Sequence, residues 1–353
     1  MICCSKCFKD IQIKDVIRTL KNREEVCPLC ERNDVYIYDT SINNELENMF
    51  VELLEIYSLQ SEKGVFANTL SQELIDTWEV FDLERNDVNK LLKQLCPNLY
   101  DENPSLFTSM ITVSEYNDKE YMEKNSILRC ENWNGFVREI TEELRYHTNL
   151  LNKEVFSTIL SLLKFTIKKE TVGYYRARIV KNLYYSREDI GAPPKEKATD
   201  GRANSRGIPC LYLANNEETA SKEIRASLHD KLTIGKFVPN RDLKIINLMD
   251  IDKISPFGMT NPQFLHVNKL HLKRIGKELS KTLRSNSSNL EYLPTQYISD
   301  FIKSLGYDGI KYKSTLNPEG YNLAIFDINS FEVVEVRNYT IDAINTNLKI
   351  EKD

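Results

Sequence analysis

The sequence has little of what most catalytic and binding motifs are built from. Histidine is scarce, with His147, His229, His266 and His271 the whole supply. None of them makes a nucleophile–base spacing or a cluster for a catalytic metal. None is separated from an upstream arginine by four to six intervening residues, the pattern of HEPN-type helical ribonucleases: Arg145 lies too close to His147, and Arg225 to His229. Only 12 glycines occur, and neither G-x-x-x-x-G-K-[ST] nor G-x-G-x-x-G is among their contexts, which removes the common phosphate-cradling loops. Basic excess is also missing: the net charge is −5 and the pI about 5.7. Bulk electrostatic binding of nucleic acid is thereby excluded, though one local basic face is not. No apolar run is long enough for a membrane span; the best, "VFSTILSLLKFTI" from Val155 to Ile167, is short and carries Lys164, so it reads as a buried helix. The start "MICCSKCFKD" has no secretory character. A soluble, cytoplasmic protein with no membrane partner is expected.

What is present suits a globular chain of two or three domains, at 41% hydrophobic and 28% charged residues over 353 positions. Five of the eight cysteines lie in the first thirty residues, which is unlike a disulfide framework and fits a reducing compartment. Cys4, Cys7, Cys27 and Cys30 form two C-x2-C knuckles, the second, "CPLC", with proline setting its turn. Two such knuckles complete a tetrahedron of thiolates, so residues 1–40 are read as a zinc-ribbon-like module. Four thiolates leave no open position, which makes the zinc structural. Cys3 is an alternative to Cys4 as ligand. Seven basic and seven acidic residues in this stretch favour scaffolding or protein contact over nucleic acid.

Residues 41–169 carry helical periodicity and are expected to form an all-helical regulatory domain. "NNELENMFVELLEIY" sets Leu46, Met49, Phe50, Leu53 and Leu54 on one face. "NDVNKLLKQL", "GFVREITEELRY" and "NKEVFSTILSLLKFTI" follow, with Trp78 and Trp133 as packing residues.

Past residue 170 short apolar runs alternate with turn signals. Strands are expected at 174–180, 208–214, 243–251, 309–313, 321–328 and 331–339. Helices are expected near 216–228 and 295–305, with a basic amphipathic segment at 265–285. The domain of residues 170–345 is α+β, followed by a tail at 346–353. In "GRANSRGIPCLYLANNEETASKEIR", Asn215 or Asn216 can cap a helix that places Ala220, Glu223 and Ser227 on one side, beside Ala220, Ile224 and Leu228. Arg202 sits between Gly201 and Gly207 in a loop, where a guanidinium suits an anionic ligand. From composition alone Arg202 and Glu223 read as a structural pair or two exposed charges.

Four stretches in order, "YYRARIV", "GRANSRGIPCLYLANNEETASKEIR", "YLPTQYISDFIKSLGYDGIKYKST" and "GYNLAIF", resemble the RES-domain family over about residues 172–340. The resemblance implies a mixed β-sheet domain with an ADP-ribosyltransferase-like fold, a cleft that binds NAD, and cleavage of its nicotinamide–ribose bond. Many relatives of that family are toxins or defence effectors. It further implies that the first-strand arginine is Arg176, or Arg178 in the other register, and that the loop arginine is Arg202. The tyrosine, glutamate and serine fall on Tyr212, Glu223 and Ser314. The loop departs from the family's G-G-R-W-N, since "DGRAN" has Asp200 and Ala203 where glycine and tryptophan are usual. Glu223 would stabilise the oxocarbenium-like ribose and Arg176 with Arg202 would hold the pyrophosphate. Tyr212 would stack or bond a ribose hydroxyl, and Ser314 would donate to nicotinamide or phosphate. Tyr212 also suits a core position, Ser314 a turn, and Gln296 either the site or a helix start.

Three functions follow: an NAD glycohydrolase or phosphorylase, an ADP-ribosyltransferase with a macromolecular acceptor, or a nucleic-acid-binding module using the knuckles and "KLHLKRIGKELSKTLR". That last stretch sets Lys269, Lys273, Arg274, Lys277, Lys281 and Arg284 around Leu265, Leu272, Ile275, Leu279 and Leu283. Solvated helix faces commonly have this pattern. An inhibitory or trigger protein and self-association are the partners left open by sequence.

Overall fold

A computed structural model describes residues 1–60, 68–129, 131–170, 172–259, 261–281 and 289–343. The chain divides into two compact units: Met1–Glu131 with Asp252–Leu272, and Asn132–Ile251 with Lys273–Asp353. No helix among the described residues is long and apolar enough to cross a membrane.

The first unit opens with a three-stranded antiparallel sheet of β1 (Ile2–Cys4), β2 (Arg23–Val26) and β3 (Asn33–Asp39), in the order β1-β3-β2. The helix Ile11–Thr19 starts where Asp10 caps it, its carboxylate accepting from Gln12 N at 2.9 Å and Ile13 N at 3.1 Å. The expected helical stripe at Glu45–Leu54 forms, burying Leu46, Phe50, Leu53 and Leu54. Phe50 then packs with Phe8, Phe81 and Phe257. Helices dominate residues 41–169, but the region is not all-helical. A second sheet, β4 (Tyr57–Leu59), β6 (Met110–Val113) and β5 (Asn68–Thr69), lies within it. These strands are only two to four residues long, too short to show a period of two in the sequence.

The second unit is built on an eight-stranded sheet. Its strands are β7 (Lys164–Ile167), β8 (Tyr174–Ile179), β9 (Leu211–Ala214), β10 (Lys231–Pro239), β11 (Leu243–Asn247), β12 (Gly309–Lys313), β13 (Tyr321–Ile325) and β14 (Phe331–Thr340). The order is β14-β10-β8-β9-β13-β12-β11-β7. Only β11 and β12 run parallel; the other pairs are antiparallel. Six of the strands were expected. β7 was read as the end of a helix, but the helix Lys153–Leu162 stops and Lys164–Ile167 pairs with β11 instead. β10 was not expected at all. Its run "KLTIGKFVP" mixes two lysines, a glycine and a proline into a strand buried along most of its length. A Cβ at Gly235 would lie 3.0 Å from Ile190 and Phe237, so a larger residue there would press on both side chains.

Two helices differ from expectation. The helix after β9 covers only Glu217–Glu223, so Ser227 lies beyond it and Leu228 is exposed rather than part of a stripe. The basic segment is helical over Pro262–Leu279, with Leu265, Leu272, Ile275 and Leu279 buried. Lys269 is not on a solvated face: it is 1% exposed and donates to the carbonyls of Asp252 at 2.9 Å and Ile254 at 3.1 Å. Leu283 and Arg284, and the tail, lie outside the described residues.

Candidate functional site

The large sheet is split beside β8. That strand pairs with β10 at six positions, from Leu232↔Ile179 to Phe237↔Tyr174, yet with β9 only at Tyr175↔Ala214. Where the two part, the Arg176 guanidinium crosses from β8 and donates Nη1–H to the Tyr212 carbonyl of β9 at 3.1 Å. A cleft of about 280 Å³ is lined by Arg176, Arg202, Tyr212, Glu223, Tyr312 and Asn322 among others. Burial pulls Arg176 down to about 10, the charge of Arg178 adding to the effect; it stays cationic at neutral pH. Arg178 does not line this cleft. It donates to the Gly191 carbonyl at 2.7 Å and faces the Tyr185 ring.

Glu223 reaches the cleft because its helix ends on it. Asn216 caps that helix, its Oδ1 accepting from Thr219 N at 2.7 Å. Ser314 Oγ donates to Glu223 Oε1 at 2.5 Å, and Asn322 Nδ2 donates to the same oxygen at 2.8 Å. Glu223 Oε2 makes no hydrogen bond among the described residues. Ser314 is buried and does not line the cleft; its Oγ also accepts from Asn317 N at 3.0 Å and Leu316 N at 3.3 Å. Ser314 thus serves a turn, and its proton goes to Glu223 rather than into the cleft. Asn322 was not singled out in the sequence. The available signal was a lone amide inside the apolar run "YNLAIF", and it is 5% exposed.

The Arg202 loop is held from three sides. Tyr212 Oη donates to Asn204 Oδ1 at 2.7 Å and accepts from Ala203 N at 3.0 Å. Gln296 Nε2 donates to the carbonyls of Gly201 at 3.0 Å and Asn204 at 2.9 Å. Gly201 admits no side chain, since a Cβ would stand 2.5 Å from both Tyr212 Oη and Asn204 Oδ1. Arg202 Nη2 donates to the Lys281 carbonyl at 2.7 Å, and its guanidinium carbon lies 5.6 Å from the Tyr312 ring centre. Burial raises both Tyr212 and Tyr312 above the ordinary phenol value, so each hydroxyl keeps its proton at neutral pH. Among the described residues, Arg176 Nε and Arg202 Nη1 of the cleft are buried without a partner, as are Arg178 Nε and Arg274 Nε outside it. Buried donors without acceptors are unfavourable by about 1–3 kcal/mol each, more when charged.

In the first unit Cys4, Cys7, Cys27 and Cys30 converge, with all four Sγ atoms within 4.8 Å of one another. Measured edges are 3.7 Å for Cys4–Cys7, 3.6 Å for Cys4–Cys30 and 3.8 Å for Cys7–Cys27. A tetrahedron with zinc–sulfur bonds of about 2.3 Å has edges of about 3.8 Å. The cluster therefore has the dimensions of a four-thiolate metal site. Cys3 is buried and is not part of it.

Comparison with known proteins gives two findings and one blank. Residues 174–346, slightly less than half of the chain, match the family model described as the RES domain. Among solved structures, the M. tuberculosis MbcT-MbcA toxin-antitoxin complex is similar at 14% identity, over 52% of this chain and 91% of that one, with a TM-score of 0.32. No curated protein matches.

Proposed function

We propose that the second unit is an NAD-consuming enzyme with an ADP-ribosyltransferase-like fold, which breaks the nicotinamide–ribose bond by hydrolysis or phosphorolysis. The observation that carries this reading is the pairing of two unsatisfied buried guanidinium donors with a carboxylate that keeps one oxygen free, in one cleft. Such donors suit a pyrophosphate, which accepts strong charge-assisted hydrogen bonds. The free Glu223 Oε2 suits the ribose, where positive charge grows as the glycosidic C–N bond breaks and its electron pair leaves with neutral nicotinamide. Water then adds at that carbon and releases a proton, or phosphate adds and gives the ribosyl phosphate. Ser314 and Asn322 act as positioning residues that fix Oε1, so the carboxylate does not reorganise as charge develops. Tyr212, with its hydroxyl committed to Ala203 and Asn204, positions the Arg202 loop and offers the substrate only its ring. The four-cysteine cluster is assigned a structural zinc, which fills the sphere and supplies no catalytic water.

Transfer to a macromolecular acceptor uses the same grip on NAD and is the second reading. Release of nicotinamide from NAD by the purified chain, with and without phosphate, tests the first. Release without any added protein or nucleic acid is expected, and its loss in Glu223→Gln. Release only when a macromolecule is added would turn the assignment to the transferase. NAD binding without release under every condition would overturn both. In cells the enzyme reading makes the protein a toxin or defence effector, with NAD depletion on expression as the readout.

A further inference from the structure

The second unit holds a cavity larger than the cleft. It measures about 430 Å³ and lies on the other side of the loop that carries Arg202, with Asp200, Ser205 and Gln296 in its wall. Arg145 and Arg206 also line it, together with Tyr146 and Tyr297. Neither guanidinium forms a hydrogen bond or ion pair among the described residues, and both are exposed. Tyr146 is 77% exposed and Ile208 45% exposed, so ring and aliphatic surface faces solvent beside the two free cations. Arg145 and Tyr146 follow a π-helical turn at Glu139–Glu143, a local irregularity often found at functional sites. Both residues precede the stretch 174–346 that matches the RES domain, so this cavity depends on sequence outside the matched family region.

We propose that the cavity is a second ligand site that takes a nucleoside monophosphate. Two unpaired guanidiniums match a dianionic phosphate, to which arginine bonds bidentately. The tyrosine rings offer surface for a planar base, and the size falls within the usual range for ligand pockets of about 300–1,000 Å³. Asp200, Asp300 and the Gln296 amide supply acceptors for the amino or hydroxyl groups of a nucleoside. The proposal does not rest on the reading of the cleft.

Calorimetric titration of the full chain with AMP, adenosine and inorganic phosphate tests it. One AMP per chain is expected, with adenosine and phosphate each at least tenfold weaker. Arg145→Ala with Arg206→Ala should weaken AMP at least tenfold, and Tyr146→Ser severalfold. Arg176→Ala should leave AMP affinity within twofold. The substituted side chains at 145, 146 and 206 are exposed, so these variants keep the fold. Absence of AMP binding, phosphate binding as tightly as AMP, or displacement of AMP by NAD together with loss in Arg176→Ala would each overturn the proposal. The last result would place AMP in the cleft instead. Failure of NAD turnover, by contrast, would leave this titration unaffected.

Discussion

Glu223 is useful only while one of its oxygens is anchored and the other is free. Ser314 Oγ and Asn322 Nδ2 both anchor Oε1, and each bond to a charged group contributes about 1.5–3 kcal/mol. Ser314→Ala and Asn322→Ala are therefore each expected to lower kcat for nicotinamide release by about 10- to 100-fold, since 1.4 kcal/mol is tenfold, with KM for NAD little changed. A fall in kcat/KM carried wholly by KM would instead place these side chains on the substrate. Gly201 gives a test through packing. A Cβ at 2.5 Å from Tyr212 Oη and Asn204 Oδ1 has to push the loop off its hydrogen bonds, and overpacking of this kind costs about 1–3 kcal/mol. Denaturant unfolding of Gly201→Ala should show that loss, along with weaker NAD binding as Arg202 moves. An unchanged midpoint would mean the loop has another resting position.

At the scale of elements, Gln296 connects the helix Leu293–Ser304 to the Arg202 loop. Replacing it by leucine removes the donor to Gly201 O and Asn204 O while keeping similar bulk. Each carbonyl keeps only its backbone partner, Asn204 N at 3.4 Å for Gly201 O and Gly201 N at 2.9 Å for Asn204 O, so a loss of about 0.5–1.5 kcal/mol per bond is expected, with KM for NAD rising more than kcat falls because the arginine is displaced rather than the carboxylate. Steady-state rates on Gln296→Leu check this. The same elements show what was legible in the sequence. The strands bearing Arg176 and Tyr212, the capped start of the helix that carries Glu223 and the knuckles of Cys4, Cys7, Cys27 and Cys30 were readable, because alternation, capping and C-x2-C spacing are local signals. β10 was missed because Gly235, two lysines and Pro239 imitate loop composition, while its burial comes from neighbours on both sides. β7 was missed because "KFTI" continues an apolar run that the helix before it does not use. Asn322, Gln296 and the free oxygen of Glu223 depend on contacts between residues 90 or more positions apart, and no local pattern reports those.

The whole molecule has one tryptophan in each compact unit, Trp78 in the first and Trp133 in the second, so each unit can be followed separately. His271 gives the first unit a pH dependence. Burial lowers it to about 4, with its ring 3.1 Å from Ser126 Oγ. The unfolded chain takes up a proton near 6.5 while the folded one does not. Stability from this group is complete above pH 6.5 and is lost as pH falls toward 4, by about 3 kcal/mol at 1.36 kcal/mol per unit. His271→Asn should flatten that part of the pH profile of Trp78 unfolding. Metal removal is the stronger test. Four sulfurs at tetrahedral spacing without a cation would be held together only by weak thiol contacts, and metal-binding free energy in such sites is folding free energy. In a Trp133→Phe background, where Trp78 alone reports, a chelator is expected to lower the melting midpoint, about 2–4 °C for each kcal/mol lost. One equivalent of zinc should restore it, and Cys27→Ser should abolish both the restoration and the bound metal. A midpoint indifferent to chelator, in a protein that carries no metal as purified, would show that the four thiols pack as an ordinary reduced core.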